Sequence, residues 1–142
     1  MNTNKKTAKL EDVKIDVKIK LSALWAASMF LFIYVDYFYL YVPGNLEEIT
    51  AGRMGPLPTT QISLLAALTL MMIPSLMIFL SLALKAKANR LTNIIVGIFK
   101  IIVVIAGLIG ETWAYYIFAT IVEVVLLSLI VWYAWKWPKQ EA

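Results

Sequence analysis

The chain contains no cysteine and no histidine. Without cysteine there is no disulfide framework, no thiolate metal site and no thiol nucleophile. Without histidine the commonest general base, the commonest metal ligand and the usual pH switch are all missing. Any chemistry falls to Asp, Glu, Lys, Tyr, Ser or Thr. Charge is scarce too: 15% of the 142 residues are charged and 61% are hydrophobic, against about 45–50% apolar residues in a soluble domain. A water-soluble domain of this size has too little interior to hide so much apolar surface. Lipid as solvent removes that difficulty. The sequence holds no metal-ligand cluster, nucleotide-binding loop or nucleophile–base pair, so no cofactor and no metal are expected.

Four apolar stretches are present, at about 21–42, 60–84, 91–110 and 113–135. Each is close to the ~20 residues that a helix needs to cross ~30 Å of hydrocarbon. Strands are excluded as spanning elements. An open sheet leaves its edges unsatisfied in lipid, and four strands cannot close a barrel. The first stretch has an apolar core too long for a signal peptide and no small-residue cleavage pattern after Tyr41 and Val42, so it reads as a retained helix. The expected fold is an all-α membrane protein, an antiparallel four-transmembrane-helix bundle. Its organisation reads as a basic arm (1–20), a spanning domain (21–137) and a short tail (138–142).

Lys and Arg set the orientation. Lys5, Lys6, Lys9, Lys14, Lys18 and Lys20 precede the first span; Lys85, Lys87 and Arg90 lie between the second and third; Lys136 and Lys139 follow the fourth. These eleven residues fall on one side of a four-span protein, and the other side carries only Arg53. Both ends are therefore expected in the cytoplasm. Trp113, Tyr115 and Tyr116 suit the outer interface, and Trp132, Trp135 and Trp137 the inner one. A nucleic-acid partner is not expected, because the basic residues gather at the inner membrane surface. The expected partner is the bilayer, with a second copy or another membrane protein as further candidates.

The connections differ. Gly110, Glu111 and Thr112 leave room only for a tight turn, which predicts that the third and fourth spans are antiparallel neighbours. The segment from Pro43 to Pro58 is longer. Asn45 followed by Glu48 reads as a helix N-cap with its partner three residues on, Gly52 can end that short helix, and Thr59 or Thr60 can cap the second span. This segment is either a plain connector or a small lid over the bundle. Val13, Ile15, Val17 and Ile19 alternate with Lys14, Asp16, Lys18 and Lys20, which reads as extended chain or as a basic arm drawn to anionic lipid.

Three ionisable residues lie within the spans: Asp36, Lys100 and Glu123. Each costs about 2.5–3.5 kcal/mol near the centre of a spanning helix, so each is expected to face the interior and find a partner. Lys100 lies as far before the final turn as Glu123 lies after it, which puts the two at one depth. An ion pair or a shared proton is expected there, and a purely structural pair is the alternative. Asn93, Gly97, Lys100, Val104, Gly107 and Glu111 form one stripe at helical spacing, with small residues that allow close approach. Tyr116, Ala119, Thr120 and Glu123 share a face, so Tyr116 and Thr120 are candidate hydrogen-bond partners of the carboxylate. Arg53 is a candidate partner for Asp36, either as a clip or as part of a ligand site. Pro74 interrupts the second span.

The segments KLSALWAASMF, DYFYLYVPG, MMIPSLMIFLSL, NRLTNIIVGI and WYAWKWP resemble a family of small bacterial membrane proteins of unknown function, over nearly the whole chain from about Lys14. That resemblance implies four spans, residence in the bacterial cytoplasmic membrane and no established activity. By architecture alone the chain also resembles the DoxX-type four-helix membrane proteins, from which no catalytic residue carries over. Three roles follow. The first is binding or transport of a small polar ligand or proton through Asp36, Lys100 and Glu123. The second is a structural or accessory subunit of a membrane complex. The third is a membrane enzyme acting on a lipid or quinone-like substrate, placed last because His and Cys are lacking.

Overall fold

The computed structural model describes residues 12–138. The expectations for the arm before residue 12 and the tail after residue 138 lie outside them. In chain order the elements are α1 (Val17–Tyr39), α2 (Asn45–Thr50), β1 (Arg53–Met54), β2 (Leu57–Pro58), α3 (Gln61–Ala83), α4 (Ala86–Ala106) and α5 (Ala114–Trp135). Of these, α1, α3, α4 and α5 are long and apolar enough to cross a membrane.

Local chemistry explains the boundaries. Asp16 accepts a hydrogen bond from the Lys18 amide at 2.8 Å and so caps α1. Helix therefore begins inside the alternating segment, which is extended only up to that cap. Thr60 caps α3 in a reciprocal box with Ser63. The connection between α3 and α4 is only Leu84 and Lys85, both extended. As a result α4 starts earlier than its apolar pattern suggests, with Lys87 and Arg90 in its first turns. It also ends earlier, at Ala106, before Gly107 and the positive-φ Gly110. The longer connection departs from expectation at two points. The N-cap of α2 is Gly44, in the left-handed region at φ +91°. Asn45 is the first helical residue, and its side-chain amide donates to Tyr39 O at 3.0 Å. Beyond α2 the chain forms the small hairpin β1–β2, closed by Thr59 N donating to Gly52 O at 2.8 Å.

The helices run antiparallel in sequence. α4 and α5 share the largest interface, α1 packs on both α3 and α5, and α3 meets α4 only along a thin seam. Lys18 fastens the termini end, donating to Leu82 O and Leu84 O at 3.2 and 2.8 Å. Ser22 donates to Ile78 O at 2.8 Å. The buried residues of α3 are Pro74, Met77 and Ser81. Thus the half of α3 nearer the termini packs into the bundle, and the half nearer the hairpin does not. The change falls at Pro74, which cannot donate to the carbonyl one turn back.

The distribution of polarity is inverted relative to a soluble bundle. Ser28, Ser81, Asn89, Asn93, Lys100, Thr120 and Glu123 are buried, whereas Phe30, Ile62, Phe79, Ile102, Ile109 and Phe118 are exposed. A lipid-facing bundle has this pattern, because its outer surface meets hydrocarbon and its backbone bonds are satisfied within each helix.

Gly97 is where α4 comes closest to α5. A Cβ added there would lie 2.7 Å from Val131 Cγ2. Val131 is β-branched and strongly prefers one χ1 rotamer in a helix, so it yields poorly. Gly97→Ala is expected to lower stability by about 1–3 kcal/mol. Adding Val131→Ala should recover most of that loss, as read by thermal melts in detergent.

Candidate functional site

The expected polar stripe runs along α4 as far as Val104, and its last two members, Gly107 and Glu111, lie beyond the end of the helix. Asn89, Asn93, Gly97, Lys100 and Val104 are its buried residues, facing the buried Ala119, Thr120, Glu123, Leu127 and Ile130 of α5. The stripe divides into two zones of different chemistry.

Toward the termini the polar groups are tightly paired. Asn93 Oδ1 accepts from Trp25 Nε1 at 2.7 Å and from Ser81 Oγ at 3.3 Å. Asn93 Nδ2 donates to Asn89 O at 2.9 Å and Asn89 Oδ1 at 2.7 Å. Asn89 Nδ2 donates to Ser81 O at 2.5 Å. With Leu21, Met77, Leu127, Ile130 and Ala134 around it, this network seals that end of the bundle. Asn93 is thus a helix-joining residue two turns below Lys100, and it lines neither of the cavities described next. Its partners Trp25, Ser81 and Asn89 are missing from the sequence-derived candidates. Single polar residues in apolar spans were the only signal for them.

Toward the hairpin the interior opens. A cavity of about 200 Å³ is lined by Asp36, Lys100, Glu123 and Tyr116 together with Phe32 and Met71. Lys100 and Glu123 are 1% and 5% exposed, and both face this space, as the symmetry of the hairpin predicts. They do not form a contact ion pair: among the described residues no ammonium lies within 4.0 Å of a carboxylate. The Lys100 ammonium instead lies 4.5 Å from the Phe32 ring centroid and 4.0 Å from Met71 Sδ. Aromatic faces and thioethers are soft, weak partners for a cation. Glu123 accepts no hydrogen bond from any described residue, including Tyr116 and Thr120. Thr120 is buried beside it on α5 but does not line the cavity. The Tyr116 hydroxyl points at α4, 2.8 Å from where a Cβ on Gly107 would stand. Gly107 therefore makes room for it.

Asp36 is exposed and stands at the mouth of this cavity, three residues before α1 ends at Tyr39, where the helices part. It belongs to the site without being buried in the core. Asp36, Met71 and Tyr116 also line a larger vestibule of about 690 Å³, which is walled by Leu64 and Leu68 of α3 and by Glu111. Ile49 of α2 and Met54 and Gly55 of the hairpin cover it. The long connection thus sits over the vestibule, where a lid would be. Arg53 lines neither the cavity nor the vestibule. It is exposed, and it pairs neither with Asp36 nor with the vestibule wall. Alternation along β1 explains this, since Met54 faces the vestibule and its neighbour faces away.

Vestibule and cavity together form a space with an apolar wall, carboxylates at two depths and one buried ammonium. No group of three or more metal-ligating side chains occurs among the described residues.

Residues 9–142 match a family of unknown function, DUF6326. The chain belongs to that family. No curated protein and no solved structure matches it. DUF6326 membership supplies no activity, so function has to be argued from the cavity.

Proposed function

We propose that this DUF6326 protein is a multi-pass membrane protein that binds, and passes along its interior, a small polar ligand or a proton. The cavity bounded by Asp36, Lys100 and Glu123 is the site. The observation that carries this reading is Glu123: a carboxylate nine-tenths buried, with no hydrogen-bonded partner among the described residues, facing a space shared with a buried ammonium. Buried ionisable groups that serve only as glue are normally paired directly with one another, because an uncompensated charge is costly in a low-dielectric interior. Here both groups are turned to a common space, where a guest or water can complete their coordination.

We further read the chain as oriented with both ends in the cytoplasm of a bacterial inner membrane. Eleven basic residues on the termini side against Arg53 on the other support that orientation. The vestibule then opens outward, beneath α2 and the hairpin.

The test uses purified protein in liposomes loaded with a pH-sensitive dye, together with thermal melts against a panel of small amines and carboxylates. Wild type is expected to dissipate an imposed pH gradient faster than empty liposomes, or to be stabilised by one class of the panel. Glu123→Gln should cut that response at least about tenfold, the size of effect expected when a charged site group is lost. A wild-type protein that leaks no faster than empty liposomes and responds to no panel compound defeats the reading.

A further inference from the structure

The opposite end of the bundle carries a separate feature. A groove of about 470 Å³ lies between the start of α1 and the end of α5, with Lys14, Asp16, Lys20, Trp132, Tyr133 and Lys136 in its lining. Aromatic rings hold two of its cations in place. Lys20 Nζ lies 5.3 Å from the Tyr133 ring centroid, and Lys136 Nζ lies 4.9 Å from that of Trp132. Among the described residues Asp16 is the one acid in the lining, and its carboxylate accepts from the Lys18 amide at 2.8 Å. Lys18 itself is committed to the Leu82 and Leu84 carbonyls and is no part of the groove. The described lining therefore presents three ammonium groups against a single carboxylate.

Trp132 has a second role. It closes one end of an apolar trough of about 500 Å³ that runs along α5 past Leu129, Ser128, Val125 and Val124. From Trp132 back to Val124 is about 12 Å of helix, at about 1.5 Å per residue. A cationic groove and an apolar trough thus meet at one tryptophan, at the end of an apolar helix, where indole rings favour the interface between headgroups and hydrocarbon. A soluble anion would use the groove and leave the trough empty. A neutral lipid would use the trough and leave the groove's surplus of positive charge uncompensated.

We propose that groove and trough together form a binding site for an anionic phospholipid. Its phosphate lies among Lys14, Lys20 and Lys136, and one acyl chain lies against Val124, Val125 and Leu129. Basic side chains near a membrane surface attract anionic headgroups, and this groove concentrates that attraction at one point. The proposal rests on the chain residing in a bilayer and does not depend on the cavity near Glu123, so the two can fail separately.

The experiment is native mass spectrometry of the full-length protein in detergent. It is titrated with phosphatidylglycerol, with phosphatidylcholine of the same acyl chains, and with soluble glycerophosphate. Wild type is expected to retain phosphatidylglycerol over phosphatidylcholine and to be insensitive to glycerophosphate. Lys20→Gln with Lys136→Gln should reduce that preference by about fivefold per lysine. Lys85→Gln with Lys87→Gln, which removes the same charge outside the groove, should leave it unchanged. Leu129→Trp should lower retention of both lipids by filling the trough. Should the groove double variant fail to fold, Lys136→Gln alone reads the same preference. Equal retention of the two lipids by wild type overturns the proposal. So does an equal loss in the two double variants, which means diffuse attraction, or full displacement by glycerophosphate, which means a free-anion site.

Discussion

Replacing Lys100 with alanine is expected to deplete folded protein severely, whereas replacing Lys100 with methionine and Glu123 with leucine together is expected to spare it. In the single variant the cavity keeps two carboxylates and loses the one cation facing them. A hole also opens over Phe32. Removing one member of a buried charge set typically costs about 3–5 kcal/mol, while exchanging the set for apolar side chains of similar volume is often neutral or stabilising. Contact is not required for this coupling. Two unit charges ~8 Å apart still interact by about 2 kcal/mol at an effective dielectric of ~20. Against a total stability of roughly 5–15 kcal/mol, the single change is large enough to be seen as lost monodisperse protein on size-exclusion chromatography. Equal losses in the single and double variants would refute the coupling across the cavity.

The second large effect is expected at Asn93. Asn93→Ala removes four hydrogen bonds at once and leaves Trp25 Nε1, Ser81 Oγ and Asn89 Oδ1 without their partner in a buried layer. Single interhelical hydrogen bonds in membranes average only ~0.6 kcal/mol. Orphaned buried groups cost about 1–3 kcal/mol each, although the Ser81 hydroxyl can turn back to a carbonyl of its own helix. The orphans decide the outcome, and a loss of about 2–5 kcal/mol is expected in thermal or denaturant unfolding. Trp25→Phe, which removes one donor and leaves Asn93 bonded to Ser81 and Asn89, should cost clearly less. If Trp25→Phe proves the worse of the two, packing of the indole, and not the amide network, holds this layer.

Much of this was legible in the sequence, and the parts that were not share a physical cause. Four helices long and apolar enough to cross a membrane follow from apolar length alone. Lys100 and Glu123 face one space because a tight antiparallel turn equates their depths, which is a local argument. The stripe through Asn93, Gly97 and Val104 follows from helical period. Interactions that join distant segments were not legible. Trp25 meets Asn93 across 68 residues, and no spacing rule encodes that. Whether Lys100 and Glu123 touch or merely share a cavity depends on ångström-scale offsets between helices, which periodicity does not fix. Composition marks Arg53 as a candidate partner of Asp36, and the structure places it outside the lining of both cavities. Its orientation depends on a two-residue strand too short to leave a pattern. Phe32 and Met71, which hold the Lys100 ammonium, are ordinary apolar residues by sequence.

Ser28 bears on how anything could travel the length of this bundle. It is fully buried, its Oγ has no hydrogen-bond partner, and on α1 it lies one turn from Phe32 on one side and one turn from Trp25 on the other. The layer separating the ammonium chamber from the amide network is therefore not uniformly greasy, since an unspent hydroxyl interrupts it midway. Relocating a proton through that layer would require Ser28 to rotate and a water to lodge beside it, a far smaller rearrangement than parting helices. A solute larger than water finds no such relay, and its passage through that layer would require the helices to part.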